Sequence, residues 1–148
     1  MARLQWALTC RDFSVDSETN NITYRDAIEQ VKATEFPADL PPFITISMLW
    51  RRDDIEIPES FRYRVILEDK NRDEASRTEP NEVDLADHER FRANIVNPPI
   101  SIEEPGTIWF RIQKDENGKW GDCTVLPVEI KEMEEPVSEA IEAAREQE

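Results

Sequence analysis

Residues 105–130 read PGTIWFRIQKDENGKWGDCTVLPVEI, in which two segments of alternating residues flank a short polar turn. Apolar side chains recur at every second position before and after the turn, as in strands that bury one face. Asn117-Gly118 supplies the two residues that accept positive φ in a tight hairpin. The stretch therefore predicts a β-hairpin, and its core-facing side chains are Ile108, Phe110, Ile112, Thr124, Leu126, Val128 and Ile130.

The sequence before this hairpin contains shorter alternating segments bounded by proline or polar turn residues. The predicted strands cover 3–13, 43–52, 61–68, 90–95 and 100–102. The interval 22–36 combines helical spacing with β-branched residues, and a bulged strand is favoured over a helix because the sheet is otherwise one partner short. The loop 69–80 is charged, with an edge strand as an alternative. The predicted core faces comprise Leu4, Trp6, Leu8 and Cys10; Ile44, Ile46, Met48 and Trp50; Phe61, Tyr63, Val65 and Leu67; and Phe91, Ala93 and Ile95.

Seven or eight short strands without a convincing long helix predict an all-β fold, a single antiparallel β-sandwich over residues 1–131. The composition changes after Lys131, because residues 132–148 hold seven acidic residues and one Arg. Pro136 and an apolar stripe that includes Val137 and Ile141 predict a short acidic tail that is disordered or marginally helical.

The totals exclude several classes of function. A formal charge of −15 on 148 residues opposes binding that depends on phosphate neutralisation or on an anionic bilayer, so neither nucleic acid nor a membrane is expected as a partner. Three glycines are too few for phosphate-cradling loops, and no cofactor is expected. No signal peptide or apolar span is visible, and Cys10 and Cys123 are not expected to pair, which together predict a cytoplasmic protein.

The order of elements resembles an uncharacterised bacterial family of compact β-sandwich domains. The similarity is carried by Ala7-Leu8-Thr9-Cys10, by Glu35-Phe36-Pro37, and by Glu104-Pro105-Gly106 followed by Phe110-Arg111-Ile112, and it covers residues 3–131. The resemblance implies an immunoglobulin-like or C2-like sandwich and brings no catalytic residues. The chain lacks the pair of cysteines that immunoglobulin domains place on facing strands, so Trp50 compares with their core Trp only by analogy.

Two kinds of polar site are candidates for chemistry. His88 is the only histidine, and a carboxylate beside it would allow general-base catalysis. A solvated loop residue is the preferred interpretation, because no nucleophile motif accompanies it. The acidic loops offer oxygen ligands for Ca²⁺, but residues 69–80 lack the Gly and Glu of an EF-hand, and solvated charge is preferred. The aspartates considered as further Ca²⁺ ligands are Asp16, Asp53, Asp54, Asp115 and Asp122.

Two features of the sheet surfaces are candidates for binding. Trp109 alternates with core residues, so its ring is predicted on the outer face beside Arg111, with Trp120 on the neighbouring strand. Exposed aromatic rings bind partners or sugars, whereas cover by an arginine stem or a loop would make Trp109 ordinary packing. Four arginines form either a basic stripe or, as preferred, cross-strand pairs with Glu68 or Glu89. These arginines are Arg62, Arg64, Arg90 and Arg92.

The sequence as a whole predicts a non-enzymatic domain that works as an accessory or scaffold protein by contact with a protein partner. Absent catalytic motifs, an outer-face Trp and an apolar stripe in a polar tail support this hypothesis. A Ca²⁺-dependent or carbohydrate-binding sandwich module is the alternative, and a hydrolase centred on His88 is the enzyme alternative. The predicted partner surface comprises Trp109, Arg111, Trp120, Val137 and Ile141.

Overall fold

A computed structural model describes residues 2–40, 44–54, 56–97 and 99–133. Within these ranges all regular secondary structure is β-strand, as the alternating sequence predicts. No helix in them has the length and hydropathy that crossing a membrane requires. The strands are β1 Arg3–Val15, β2 Ile22–Ala27, β3 Gln30–Ala33, β4 Ala38–Leu40, β5 Thr45–Arg51, β6 Ser60–Glu68, β7 Glu74–Arg77, β8 Asn81–Asp84, β9 Arg90–Val96, β10 Ile100–Ile102, β11 Gly106–Glu116 and β12 Lys119–Glu132.

The described strands form three open sheets. One sheet, which we call the smaller sheet, has four strands in the order β2-β1-β5-β9. The larger sheet has six, in the order β3-β12-β11-β6-β7, with β8 also paired to β6. Strands β4 and β10 form a separate antiparallel pair. Strand β3 runs parallel to β12, and the other pairs are antiparallel.

Strands β11 and β12 form the predicted hairpin. Glu116 pairs with Lys119 across the two-residue turn. The turn residues Asn117 and Gly118 have φ angles of 56° and 81°, the positive values that this type of hairpin requires. The apolar side of β11 is buried as predicted, with Ile112 at 0% exposure. Side chains on this face therefore reach the core.

One cluster of buried side chains joins the inner faces of the smaller and larger sheets, an arrangement compatible with a β-sandwich. The ring of Trp50 on β5 lies 4.9 Å from that of Phe61 and 5.7 Å from that of Tyr63, both on β6. Strand β5 is buried on both faces, since Ser47 on its outer face is also 0% exposed. Each sheet thus excludes water from the other.

Three details of the predicted strands are wrong. The described residues contain twelve strands rather than seven or eight, because short connections such as β4 and β10 also pair. A register shift between Leu4 and Trp6 changes the core face of β1, so Ala7 packs against the core while Trp6 packs edge-on to Tyr24. Phe91 lies at the sheet edge and is 38% exposed.

Other predictions about uncertain segments are confirmed. The interval 22–36 forms strands β2 and β3, separated by a break at which the Ile28 amide donates to the Thr9 carbonyl. Strand β7 is the edge strand offered as an alternative within 69–80. Both cysteines are free thiols and Cys123 is exposed, but Cys10 is buried beside Ser47 on the outer face of β5 rather than on the predicted core face. The predicted helix in the tail lies outside the described residues.

Candidate functional site

The outer face of the larger sheet carries three residues of the predicted partner surface, Trp109, Arg111 and Trp120. All three are half-buried. The guanidinium of Arg72 lies 4.3 Å from the centre of the Trp109 ring, and that of Arg64 lies 4.2 Å from the centre of the Trp120 ring. This matches the alternative interpretation, cover by a neighbouring loop. A cation already occupies one face of each indole, which leaves less surface for a sugar or a partner.

Arg111 is held by carboxylates on both sides. It donates to Glu68 at 3.1 Å and to Asp122 at 2.6 Å. The hydrogen bond from Arg111 holds the pKa of Glu68 below its usual value, with Arg72 acting in the same direction and desolvation opposing both. Because donors and acceptors on this face satisfy one another, its polar groups offer little unpaired charge to a partner.

The remaining sequence-predicted sites are not brought together. Val137 and Ile141 lie outside the described residues. His88 is exposed in the loop before β9. Asp115 pairs with Arg62, which commits one of the aspartates considered for Ca²⁺. Nowhere in the described ranges do three or more His, Cys, Asp or Glu side chains form a group that could hold a metal ion.

A different cavity lies where the β1–β2 hairpin meets β9. Strand β1 pairs with β5 only as far as Cys10 and then continues with β2 alone. Arg92 of β9 donates to the carbonyl of Asn20 at the hairpin tip, which holds the tip against β9. The resulting open groove has a volume of about 500 Å³, and we call it the hairpin cleft. Its lining comprises Val15, Asn20, Ile22, His88, Glu89, Arg90, Phe91, Arg92 and Asn94.

The arginines of the hairpin cleft differ from most others in the chain. Neither Arg90 nor Arg92 has a carboxylate partner in the part of the chain that the structure describes, and Glu89 is bound by Arg51 at 2.8 Å. The predicted pairing with Glu68 or Glu89 is therefore wrong. The arginines that do pair with carboxylates are Arg3, Arg11, Arg25, Arg51, Arg62, Arg72, Arg77 and Arg111.

Strand β9 also presents an unpaired backbone edge. Among the described strands it pairs only with β5. The Asn97 amide donates to the Ile44 carbonyl, and the Glu89 carbonyl accepts from the Arg52 amide. The odd-numbered residues of β9 therefore direct their backbone N–H and C=O groups toward β5. The N–H and C=O groups at the alternate positions consequently point away from the sheet. Exposed apolar side chains border this edge, namely Val15, Phe91 and Val96 at 48%, 38% and 54% exposure.

A buried polar cluster supports the floor of the cleft. The hydroxyl of Ser47 donates to Asn94 Oδ1 at 2.7 Å and lies 3.8 Å from Cys10 Sγ. Burial raises the pKa of the Cys10 thiol, which therefore stays protonated and is a poor nucleophile. Burial likewise raises the pKa of Tyr24, although the charge of Arg92 opposes that shift. The site thus has the groups to bind an anion but lacks an activated nucleophile in this cluster.

The sequence matches no protein-family model and no curated protein. The resemblance to an uncharacterised bacterial sandwich family accordingly stays a prediction. Sequence reasoning missed the hairpin cleft, although Arg90 and Arg92 beside His88 in an acidic chain were a visible signal. The contact between Asn20 and β9 had no such signal, because it depends on where β1 leaves the sheet.

Proposed function

We propose that this protein is a cytoplasmic, non-enzymatic protein-binding or accessory domain, and that β9 and the hairpin cleft bind an acidic, extended segment of a protein partner. The observation that carries the proposal is the pair Arg90 and Arg92. In a chain with 33 acidic and 18 basic residues, both arginines lack a carboxylate among the described residues and both line one cavity. Arginine guanidinium groups bind carboxylates with two parallel hydrogen bonds, so a partner's acidic side chains suit them.

The unpaired edge of β9 adds a second means of binding. A partner segment in extended conformation would form main-chain hydrogen bonds with the outward-facing groups of β9, as in other cases where a peptide extends a sheet. Its apolar side chains would pack against Phe91 and Val15. Main-chain bonds supply affinity in this mode, and the arginines supply the preference for acidic residues.

Other sheet edges are less suited to an acidic segment. Arg77 on the edge strand β7 pairs with Glu74, and Arg25 on the edge strand β2 pairs with Asp12 at 2.5 Å. Neither guanidinium is available without breaking an ion pair. The comparison favours β9 over the edges at β2 and β7 and over the covered Trp rings of the larger sheet.

The order of strands supports an immunoglobulin-like sandwich as the finer fold type. Consecutive strands β5 and β6 lie in different sheets, β9 returns to β5, and β11 and β12 return to β6. This alternation is the Greek-key order of such domains, whose exposed edges and loops serve as contact surfaces. The acidic tail, with Val137 and Ile141, is a second contact that we propose for a partner's basic region.

The test is a titration of the whole chain with two synthetic extended peptides, one alternating Glu with Val and the other alternating Lys with Val. We expect the acidic peptide to bind and to shift backbone amide resonances along β9, and the basic peptide to bind β9 at least tenfold more weakly. Equal affinity of the two peptides for β9, or shifts confined to the outer face around Trp109, would contradict the proposal.

Variants separate charge from backbone pairing. Arg90→Glu with Arg92→Glu should abolish acidic-peptide binding, whereas Arg77→Glu makes the same kind of charge change on another edge and should leave it nearly unchanged. Val96→Pro removes an outward N–H without removing a bond to β5, so it should weaken both peptides while the melting temperature stays close to wild type. A chain ending at Met133 shows whether the acidic tail competes for β9.

A further inference from the structure

A second cavity lies at the end of the larger sheet, between the last residues of β6, the turn that follows, β10 and the start of β11. Its volume is about 520 Å³. Leu67 and Ile108 form part of its floor and are buried, while Ile100 and Ile102 are half-buried beside them. We call this volume the end cleft. Its size and apolar floor are typical of small-molecule sites.

The charged groups around the end cleft are mostly carboxylates. Glu68 is committed to Arg111 and Arg72, and the Asp69 carboxylate accepts from amides of its own turn. Glu104 pairs with Lys70, while Glu103 is exposed and has no ion pair among the described residues. Glu103 and Glu104 therefore place two carboxylates near the mouth, and Lys70 is the one cationic side chain among the described lining residues.

Lys70 is positioned by the backbone of β11. Gly106 has φ +148°, and a Cβ there would lie 3.0 Å from Lys70 Cβ and 3.1 Å from Lys70 Cδ. The lysine stem thus lies directly against a residue that has no side chain, and its ammonium reaches Glu104. The hydrogen bond from Lys70 lowers the pKa of Glu104, so this carboxylate is an anion at neutral pH.

We propose that the end cleft binds a free aliphatic amine, an apolar chain ending in an ammonium group. The chain lies on the floor formed by Leu67, Ile100, Ile102 and Ile108. The ammonium binds Glu104 and Glu103, taking the place of the Lys70 ammonium at Glu104. An aliphatic carboxylate of the same length is excluded because both rim carboxylates repel it. This site is separate from the hairpin cleft and does not rest on the function proposed for β9.

The probes are hexylammonium and hexanoate, titrated into the full chain and followed by amide chemical shifts. Hexylammonium should shift amides near Gly106 and Ile102 in a saturable way, and hexanoate should not. Glu103→Gln combined with Glu104→Gln should weaken hexylammonium binding at least tenfold, whereas Glu18→Gln in a distant turn should have no effect. Retention of affinity in the double variant, equal binding of the two probes, or no saturable shift would each overturn the proposal.

Two further arms locate the ligand and its source. Ala75→Trp places a large ring in the end cleft and should block hexylammonium, whereas Ala27→Trp on β2 should not. A short peptide with Lys between two Leu residues tests a partner's lysine as the occupant, and binding of this peptide without hexylammonium binding would overturn the free-amine proposal. The acidic-peptide titration at β9 is read independently, so either proposal fails alone.

Discussion

Ser47 on the core strand β5 adds a side-chain hydrogen bond to the backbone pairing with the edge strand β9. It is 0% exposed and donates to Asn94 Oδ1 at 2.7 Å. Removing the Ser47 hydroxyl deletes this bond and leaves the half-buried amide of Asn94 without it, which costs about 0.5–1.5 kcal/mol of stability. We predict that Ser47→Ala lowers the free energy of unfolding by this amount, measured by urea denaturation.

A double-mutant cycle isolates the hydrogen bond from the packing. Ser47→Ala, Asn94→Ala and the double variant should show a coupling energy of at least about 0.5 kcal/mol, because the two side chains interact directly. Ser14→Ala, at an exposed position of β1, is the control and should change stability little. Strict additivity of Ser47→Ala and Asn94→Ala would show that this bond does not stabilise the edge.

Glu68 contributes stability that depends on pH. The hydrogen bond from Arg111 lowers its pKa in the folded state, so the contribution is complete above the unfolded pKa and is lost as pH falls through the folded pKa. We predict that wild type loses stability between about pH 5 and about pH 3 and that Glu68→Gln loses less over the same interval. Urea midpoints across this range measure the effect.

Glu18→Gln is the matched control for the pH experiment, since Glu18 lies in an exposed turn. This variant should retain the wild-type slope of stability against pH. If Glu68→Gln and wild type had parallel pH profiles, Glu68 would not be the group that links the Arg111 network to acid unfolding.

Two glycines of the final hairpin allow a test of whether its turn requires a positive φ angle. Gly118 has φ 81° in the turn, whereas Gly121 has no positive φ, and a Cβ at either position meets nothing within 4 Å. Only the backbone conformation therefore distinguishes them. We predict that Gly118→Ala destabilises the protein by about 1 kcal/mol, whereas Gly121→Ala is neutral or stabilising by up to about 1 kcal/mol.

Thermal or urea unfolding of these two single variants measures the difference. Gly121→Ala reports the general effect of a methyl group and of reduced freedom in the unfolded chain, so the difference between the variants reports the turn. Equal stability of the two variants would show that the turn does not require positive φ at Gly118.

Elements with strict alternation could be predicted from sequence, and those that depend on register could not. The side chains of β11 and β6 point where the period-2 pattern predicts, because each strand has one buried face. Strand β1 departs from its pattern after Leu4, since one bulge moves every later side chain to the opposite face. No local signal in the sequence specifies that bulge.

The candidate site shows the same limit at the level of elements. Arg90 and Arg92 are visible in the sequence, but their lack of carboxylate partners among the described residues depends on which strands lie beside β9. Glu89 is adjacent in the chain, yet it turns to Arg51 on β5. The end cleft likewise forms from elements distant in sequence, so neither cavity could be predicted before the topology was known.

At the scale of the whole molecule, the net charge has the same sign as the charged groups at the end cleft and the opposite sign to those at the hairpin cleft. The chain carries −15 overall, which favours approach of cations and opposes approach of anions from a distance. The end cleft agrees with this field, whereas the hairpin cleft acts against it. Salt screens both effects. We therefore predict that raising the salt concentration increases the association rate constant of an acidic peptide with β9 and decreases that of hexylammonium with the end cleft. Stopped-flow or exchange NMR at two ionic strengths measures both, and a salt response of the same sign at both clefts would contradict the assignment.

The shared core makes the smaller and larger sheets one cooperative unit. Ile46 on β5 is 1% exposed and belongs to the same buried cluster as Ile112 on β11. Ile46→Val removes one buried methylene and should cost about 0.5–1.5 kcal/mol. We predict that native-state hydrogen exchange shows this loss equally in the slowest amides of β5 and of β11, because neither sheet keeps its core when the other opens.

Val96→Ala, at an exposed position, should leave both sets of amides nearly unchanged. Wild-type protection of β11 in Ile46→Val would instead mean that the sheets open separately, and contacts at β9 would then be unable to stabilise the larger sheet.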